Sequence, residues 1–126
     1  MAKTKVLLVD DEKSFTNLLK LNLEETGKYE VRVENWPEDA IKAVREFHPN
    51  IVLLDIIMPR MPGGNVAAQI HEDPQLKDTP IVFLTAAVRK HQVEENDGII
   101  CDHPCLAKPA TIDEVIRMID EHATKN

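Results

Sequence analysis

The chain has 126 residues, 43% hydrophobic and 29% charged; that length suits one domain, which buries somewhat over ~60% of the unfolded surface and forms a core without disulfides or a structural metal. Its 15 basic and 22 acidic residues leave a net charge of −7, which repels phosphate backbones and anionic lipid and argues against general nucleic-acid or membrane-surface binding. Two cysteines, no signal-like start and no apolar run near the ~18 residues of a membrane span predict a soluble, cytoplasmic, single domain over residues 1–126, with its core at about 5–122.

The first element is Val6 to Val9, four apolar residues without polar alternation. Phe15, Leu18, Leu19, Asn22 and Leu23 then keep the 3–4 spacing of a helix, and Gly27 supplies its stop. Val31 to Val33 alternates with charged neighbours and reads as an edge strand. Asn35 and Glu38 have the spacing of a capping box, with Pro37 in the first turn and Trp36 as a packing residue at the helix start. Ala40, Ile41, Val44 and Phe47 carry that helix's buried stripe up to Pro49.

Ile51 to Leu54 is a second unbroken run, followed by a short helix over Asn65 to Glu72. Ile81 to Leu84 is the third run, and Arg89 to Asp97 reads as an almost wholly polar helix. A fifth strand lies near Cys105 and Leu106. Thr111 with Glu114 repeats the capping-box spacing, ahead of Ile112, Val115, Ile116 and Ile119 on one face. Continuous apolar runs mark strands covered on both faces, as in a parallel sheet. The alternation of strands and helices predicts a doubly wound α/β fold with five parallel strands and about five helices. The strand order is 2-1-3-4-5, because the most apolar strands, 1, 3 and 4, belong in the centre.

In open α/β sheets the site forms outside the carboxyl ends of the strands. There this chain places Asp10, Asp11 and Glu12 after strand 1, Asp55 after strand 3, Thr85 after strand 4 and Lys108-Pro109 after the fifth. Neighbouring carboxylates repel unless a cation neutralises them, and Mg²⁺ suits all-oxygen ligands. A metal, a lysine and a hydroxyl can stabilise the oxygens of a transferring phosphoryl group, while a carboxylate can serve as nucleophile. One acid at a strand end is ordinarily a helix cap; the collection at four strand ends carries the reading of phosphoryl transfer onto an aspartate.

Other features read more plainly. Cys101, His103 and Cys105 lack a fourth metal ligand, so the cysteines read as buried strand thiols. His48, His71, His91 and His122 are scattered and read as solvated surface. There is no phosphate-cradling Walker loop and no dinucleotide glycine motif. A flavin phosphate is disfavoured by the acids Asp10, Asp11 and Glu12.

The runs Val6-Leu7-Leu8-Val9-Asp10-Asp11-Glu12 and Asp55-Ile56-Ile57-Met58-Pro59-Arg60-Met61-Pro62-Gly63, with Thr85-Ala86 and Lys108-Pro109, resemble the receiver domain of two-component response regulators. The likeness runs from about Lys5 to His122 and is closest in form to single-domain chemotaxis regulators with a flavodoxin-like fold. It implies that Asp55 accepts a phosphoryl group from a sensor histidine kinase or a phosphotransfer protein. Asp11 and Asp55 would bind Mg²⁺ directly, Asp10 mostly through water, and the Ile57 carbonyl would complete the protein's ligands. Thr85 and Lys108 would contact the phosphoryl oxygens, and the small Ala86 would leave access to them. The Lys108–Pro109 bond is cis in such proteins. Two positions depart from the pattern: Cys105 stands where the family usually has an aromatic switch residue, and Pro62 where an aspartate commonly precedes the loop glycine Gly63.

The implied protein is a phosphorylation-controlled switch that changes its affinity for a downstream protein, catalyses only its own phosphorylation and dephosphorylation, and contacts neither nucleic acid nor membrane through this domain. A metal-dependent phosphohydrolase of the haloacid dehalogenase group would also use an aspartyl phosphate, but usually carries an Asp-x-Asp pair on its first strand and a longer chain with a cap. A degenerate receiver that binds partners without phosphorylation is the second alternative, kept open by Cys105.

Overall fold

The structure, a computed structural model, describes residues 2–58, 61–86, 99–100 and 103–124. In chain order these form β1 (Thr4–Val9), α1 (Lys13–Glu25), β2 (Tyr29–Glu34), α2 (Ala40–Phe47), β3 (Ile51–Asp55), α3 (Gly63–Glu72), β4 (Ile81–Thr85), β5 (Ile99–Ile100), β6 (His103–Ala107) and α4 (Ile112–His122). The sheet order is β2-β1-β3-β4-β6-β5. β2, β1, β3, β4 and β6 run parallel, so the five parallel strands take the expected 2-1-3-4-5 order. The two residues of β5 add an antiparallel edge that the sequence reading did not anticipate. Four α-helices are present among the described residues; the polar helix expected over Arg89 to Asp97 falls outside them.

Alternation along the strands divides the interior into two apolar layers. Leu7, Val9, Val52, Leu54, Ile81, Phe83 and Cys105 point to one face, where Ala40, Ala43 and Val44 of α2 and Val66, Ala67 and Ile70 of α3 cover them. Val6, Leu8, Ile51, Leu53, Val82 and Leu84 point to the other, under Leu19 and Leu23 of α1 and Val115 and Ile119 of α4. The unbroken apolar runs in the sequence are therefore strands sandwiched on both sides.

Local chemistry explains most boundaries. α1 stops at Gly27, whose φ of 76° is the left-handed conformation that glycine adopts without strain. At α4 the Thr111 hydroxyl accepts from the Glu114 N–H at 3.1 Å and the Glu114 carboxylate accepts from the Thr111 N–H at 3.0 Å, the full capping box.

Two expectations are corrected. The Asn35–Glu38 box does not cap α2: a 3₁₀ turn over Pro37–Asp39 leads in, Trp36 holds its cap position without a side-chain cap bond, and the Asn35 amide is used elsewhere. Trp36 is 45% exposed instead of packed. Within α1, Leu18 is 60% exposed, because the face turned to the sheet is Thr16, Leu19 and Leu23.

Candidate functional site

Register brings the chemistry together. Val9 pairs with Leu54, so Asp10 comes level with Asp55; Asp55 pairs with Leu84, and Thr85 with Ala107. Asp10, Asp55, Thr85 and Lys108 thus sit along one edge of the sheet, at the carboxyl ends of four adjacent strands.

Each acid is held by local structure. Asp10 Oδ1 accepts from the Glu12 N–H at 2.9 Å, turning the chain into α1, while the Asp10 carbonyl accepts from the Asn35 amide at 2.8 Å. That amide also donates to Thr16 Oγ1 at 3.1 Å, and the Thr16 hydroxyl in turn reaches the Lys13 and Glu12 carbonyls. Asn35 therefore locks the end of β1 to the first turn of α1. Its side chain is worth more in this tertiary link than as a local cap, which is why the predicted box fails.

Asp55 is 6% exposed and its Oδ1 accepts from the Ile57 N–H at 3.3 Å. The following loop closes through Gly63, whose N–H donates to the Ile56 carbonyl at 2.7 Å. A Cβ built at Gly63 would run into the Asp55 carbonyl oxygen and crowd the backbone of Ile56, so only glycine fits against the loop. Pro62 occupies the cap position of α3, immediately before it.

Oxygens of Asp10, Asp11 and Asp55 lie within 4.8 Å of one another, the one such group of potential metal ligands among the described residues. Lys108 Nζ faces this cluster, 2.5 Å from Asp10 Oδ2, 3.6 Å from Glu12 Oε1 and 3.8 Å from Asp55 Oδ2. Burial pushes the Asp55 carboxyl up to about 6, with Asp10 and then Asp11 adding to the rise, against Lys108 and the Ile57 N–H. Burial also opposes the Lys108 charge, but the hydrogen bond to Asp10 and the carboxylates of Asp10, Asp55 and Glu12 prevail and raise its pKa. One ammonium among these carboxylates leaves the crevice short of positive charge. A hard divalent cation with oxygen ligands fits that donor set.

The remaining predicted positions fall as follows. Thr85 ends β4 beside Ala107, and Ala86 is exposed at the crevice mouth. The Ile57 side chain is 64% exposed. The Lys108–Pro109 peptide bond is cis. Cys105 is a free, buried thiol paired in register with Phe83, and burial pushes its pKa up. Cys101 and His91 lie outside the described residues. His71, read as solvated, stacks its ring on His103 at 4.8 Å, and His103 meets Phe83 edge-on at 5.3 Å. His48 caps α2 in the left-handed conformation, φ 52°.

Two further features border the site. Phe15, seen in the sequence only as part of a helical spacing, places its ring 4.3 Å from Lys108 Nζ. A groove of about 420 Å³ runs from Lys108 along α1 and α4, lined by Phe15, Leu18, Leu19, Ala110 and Ile112. No helix among the described residues is long and apolar enough to cross a membrane.

The model of the response regulator receiver domain matches residues 6–120, and the chain belongs to that family. It is 30% identical over 132 residues to the probable transcriptional regulator ycf27 of Porphyridium aerugineum, covering 100% of this chain and 53% of that protein. It is 37% identical over 82 residues to the alkaline phosphatase synthesis transcriptional regulatory protein PhoP of Bacillus subtilis, covering 65% of this chain and 33% of that one. The chain thus spans between a third and about half the length of these two relatives. Among solved structures, the chemotaxis protein CheY4 of Vibrio cholerae superposes with a TM-score of 0.80 at 25% identity, over 95% of this chain and 98% of that one. The receiver domain of Francisella response regulator 1452 gives 0.77 at 25% identity, over 94% and 95%. The chain is thus a receiver domain of the two-component response regulators.

Proposed function

We propose that the domain is a phosphorylation-controlled switch and that Asp55 is its phospho-acceptor. The observation that carries the reading is the position of its buried carboxylate, ringed by Asp10 and Asp11 and 3.8 Å from Lys108 Nζ. Asp10, Asp11 and Asp55, with the Ile57 carbonyl, would hold Mg²⁺, which when bound neutralises the acids and the charge on a transferring phosphoryl group. The donor is a phosphohistidine on a sensor kinase or phosphotransfer protein. An Asp55 oxygen attacks phosphorus, the bond from phosphorus to the donor imidazole breaks, and that imidazole leaves with its proton drawn from solvent. Thr85 and Lys108 hold the phosphoryl oxygens, and Ala86 leaves them room.

The apolar groove beside Lys108 gives a donor protein a surface on which to dock, while the net charge of −7 favours a protein partner over nucleic acid. Apart from forming and hydrolysing its own aspartyl phosphate, the domain turns over no metabolite, and it works in the cytoplasm where kinase domains present their phosphohistidines. Incubation with acetyl phosphate and Mg²⁺ tests the reading. Wild type gains the mass of one phosphoryl group, labile to hydroxylamine, and Asp55→Asn gains none. Wild type left unmodified by both acetyl phosphate and a panel of phosphorylated kinases would instead establish a phosphorylation-independent binding module.

A further inference from the structure

We infer that Phe15 is a positioning residue for Lys108, holding the ammonium over its ring at the edge of the acid cluster; this rests on the proposal that Asp55 is phosphorylated. Lys108 has a flexible four-carbon stem and three donors, and among the described residues a single anion within hydrogen-bond distance, Asp10 at 2.5 Å. Glu12 and Asp55, at 3.6 and 3.8 Å, attract it without a hydrogen bond. The Phe15 ring lies under the ammonium at 4.3 Å, within the range of a cation–π contact.

That ring is fixed relative to the acids. Phe15 lies in the first turn of α1, whose start is tied to Asp10 through the Glu12 N–H and to β2's end through Asn35 and Thr16. The ring lines the groove between Lys108 and α1, so it covers the ammonium on that side; the lysine side chain is just 10% exposed.

An aromatic face suits the task better than another carboxylate would. It attracts the cation yet offers no hydrogen bond to be broken, so Lys108 can exchange Asp10 for a phosphoryl oxygen without leaving the ring. A carboxylate in that place would compete with the phosphoryl group for the same protons. Taken at its lower, exposed-site value of ~0.5–1 kcal/mol, the contact converts to about a two- to fivefold effect on the rate.

The test replaces Phe15 with mono-, di- and trifluorophenylalanine, which keep the shape and progressively weaken the ring's negative face, and with Leu and Tyr. Phosphorylation by acetyl phosphate, a donor too small to use the groove, is followed at saturating donor and Mg²⁺. The rate falls stepwise along the fluorine series, drops about two- to fivefold in Phe15→Leu, and returns in Phe15→Tyr, while Mg²⁺ affinity and urea stability hold. Independently of any phosphorylation, the Lys108 ε-methylene protons are displaced upfield by the ring in wild type and Phe15→Tyr. A rate indifferent to fluorination, or ε-protons at the ordinary lysine position, would overturn the assignment. Failure of wild type itself to accept phosphate would strike the Asp55 reading, and leave the proton shifts to decide whether Lys108 sits over the ring.

Discussion

Replacing Asp55 by Asn should stabilise the metal-free protein, and the pH dependence of the gain identifies its cause. The folded chain raises this carboxyl from 3.8 to about 6, mainly by burial and by Asp10. The sign follows from where each state binds its proton. Below pH 4 the group is neutral in both states and contributes nothing. Between about 4 and 6 the unfolded chain ionises while the folded chain keeps the proton, so stability falls as pH rises. Above 6 the loss is complete. Two units at 1.36 kcal/mol each set a ceiling of roughly 3 kcal/mol; Asn forfeits the attraction of Lys108 but keeps an oxygen for the Ile57 N–H, so about 1–2 kcal/mol should remain.

For a chain of this size that corresponds to roughly 4–8 °C in Tm. Urea melts of both proteins in chelator, from pH 3.5 to 7.5, measure it: the advantage of Asn should be near zero at pH 3.5 and full by pH 7. Adding Mg²⁺ should close the gap by stabilising wild type preferentially. An advantage of constant size across that range, or none at pH 7, would refute the account of Asp55 as an acid strained by its neighbours.

Three shorter predictions concern the frame around it. Asp11→Ala should weaken Mg²⁺ binding by tenfold or about that, since a hard-ion site loses one of three carboxylates, as calorimetric titration would show. Gly63→Ala should cost about 1–3 kcal/mol in urea unfolding and slow phosphorylation, because the added methyl has to displace the loop from the Asp55 carbonyl. Asn50→Ala should cost about 2 kcal/mol without altering Mg²⁺ affinity: its buried amide accepts from the Lys5 N–H at 2.8 Å and donates to Thr124 at 3.2 Å, at the end of the sheet away from the acids.

What the sequence disclosed, and what it withheld, follows from the range of the interactions involved. The central strands were legible because burial on both faces demands unbroken apolar runs, and their ends pointed to Asp10, Asp55, Thr85 and Lys108. The Thr111–Glu114 box was legible because both partners lie within one helical turn. Asn35 and Glu38 had the same spacing, yet a contact with Asp10 and Thr16, 25 and 19 residues away, claims the Asn35 amide. No local pattern could announce that. The 3–4 spacing of Phe15 to Leu23 disclosed α1, but periodicity alone does not say which edge of a helix's apolar face meets the sheet, and Leu18 stands outside it. The two residues of β5 are too few to carry a period at all. Phe15 was noticed, but its partner lies 93 positions along the chain, and only the fold brings ring and ammonium together.

The division of the interior into two layers has a consequence for how such a chain can diverge. Alternate residues of β1, β3, β4 and β6 feed opposite layers, so a volume change beneath α2 and α3 is absorbed there, with the sheet backbone as a partition. Compensating replacements can accumulate in one layer without a matching history in the other. Lys108 and Phe15 belong to the side of α1 and α4, Gly63 and Cys105 to the side of α2 and α3, and Asp55 stands at the junction. A cysteine at position 105 is thus a change that the α2–α3 layer could accommodate by itself, leaving the lysine, its ring and the groove to evolve with their own partners.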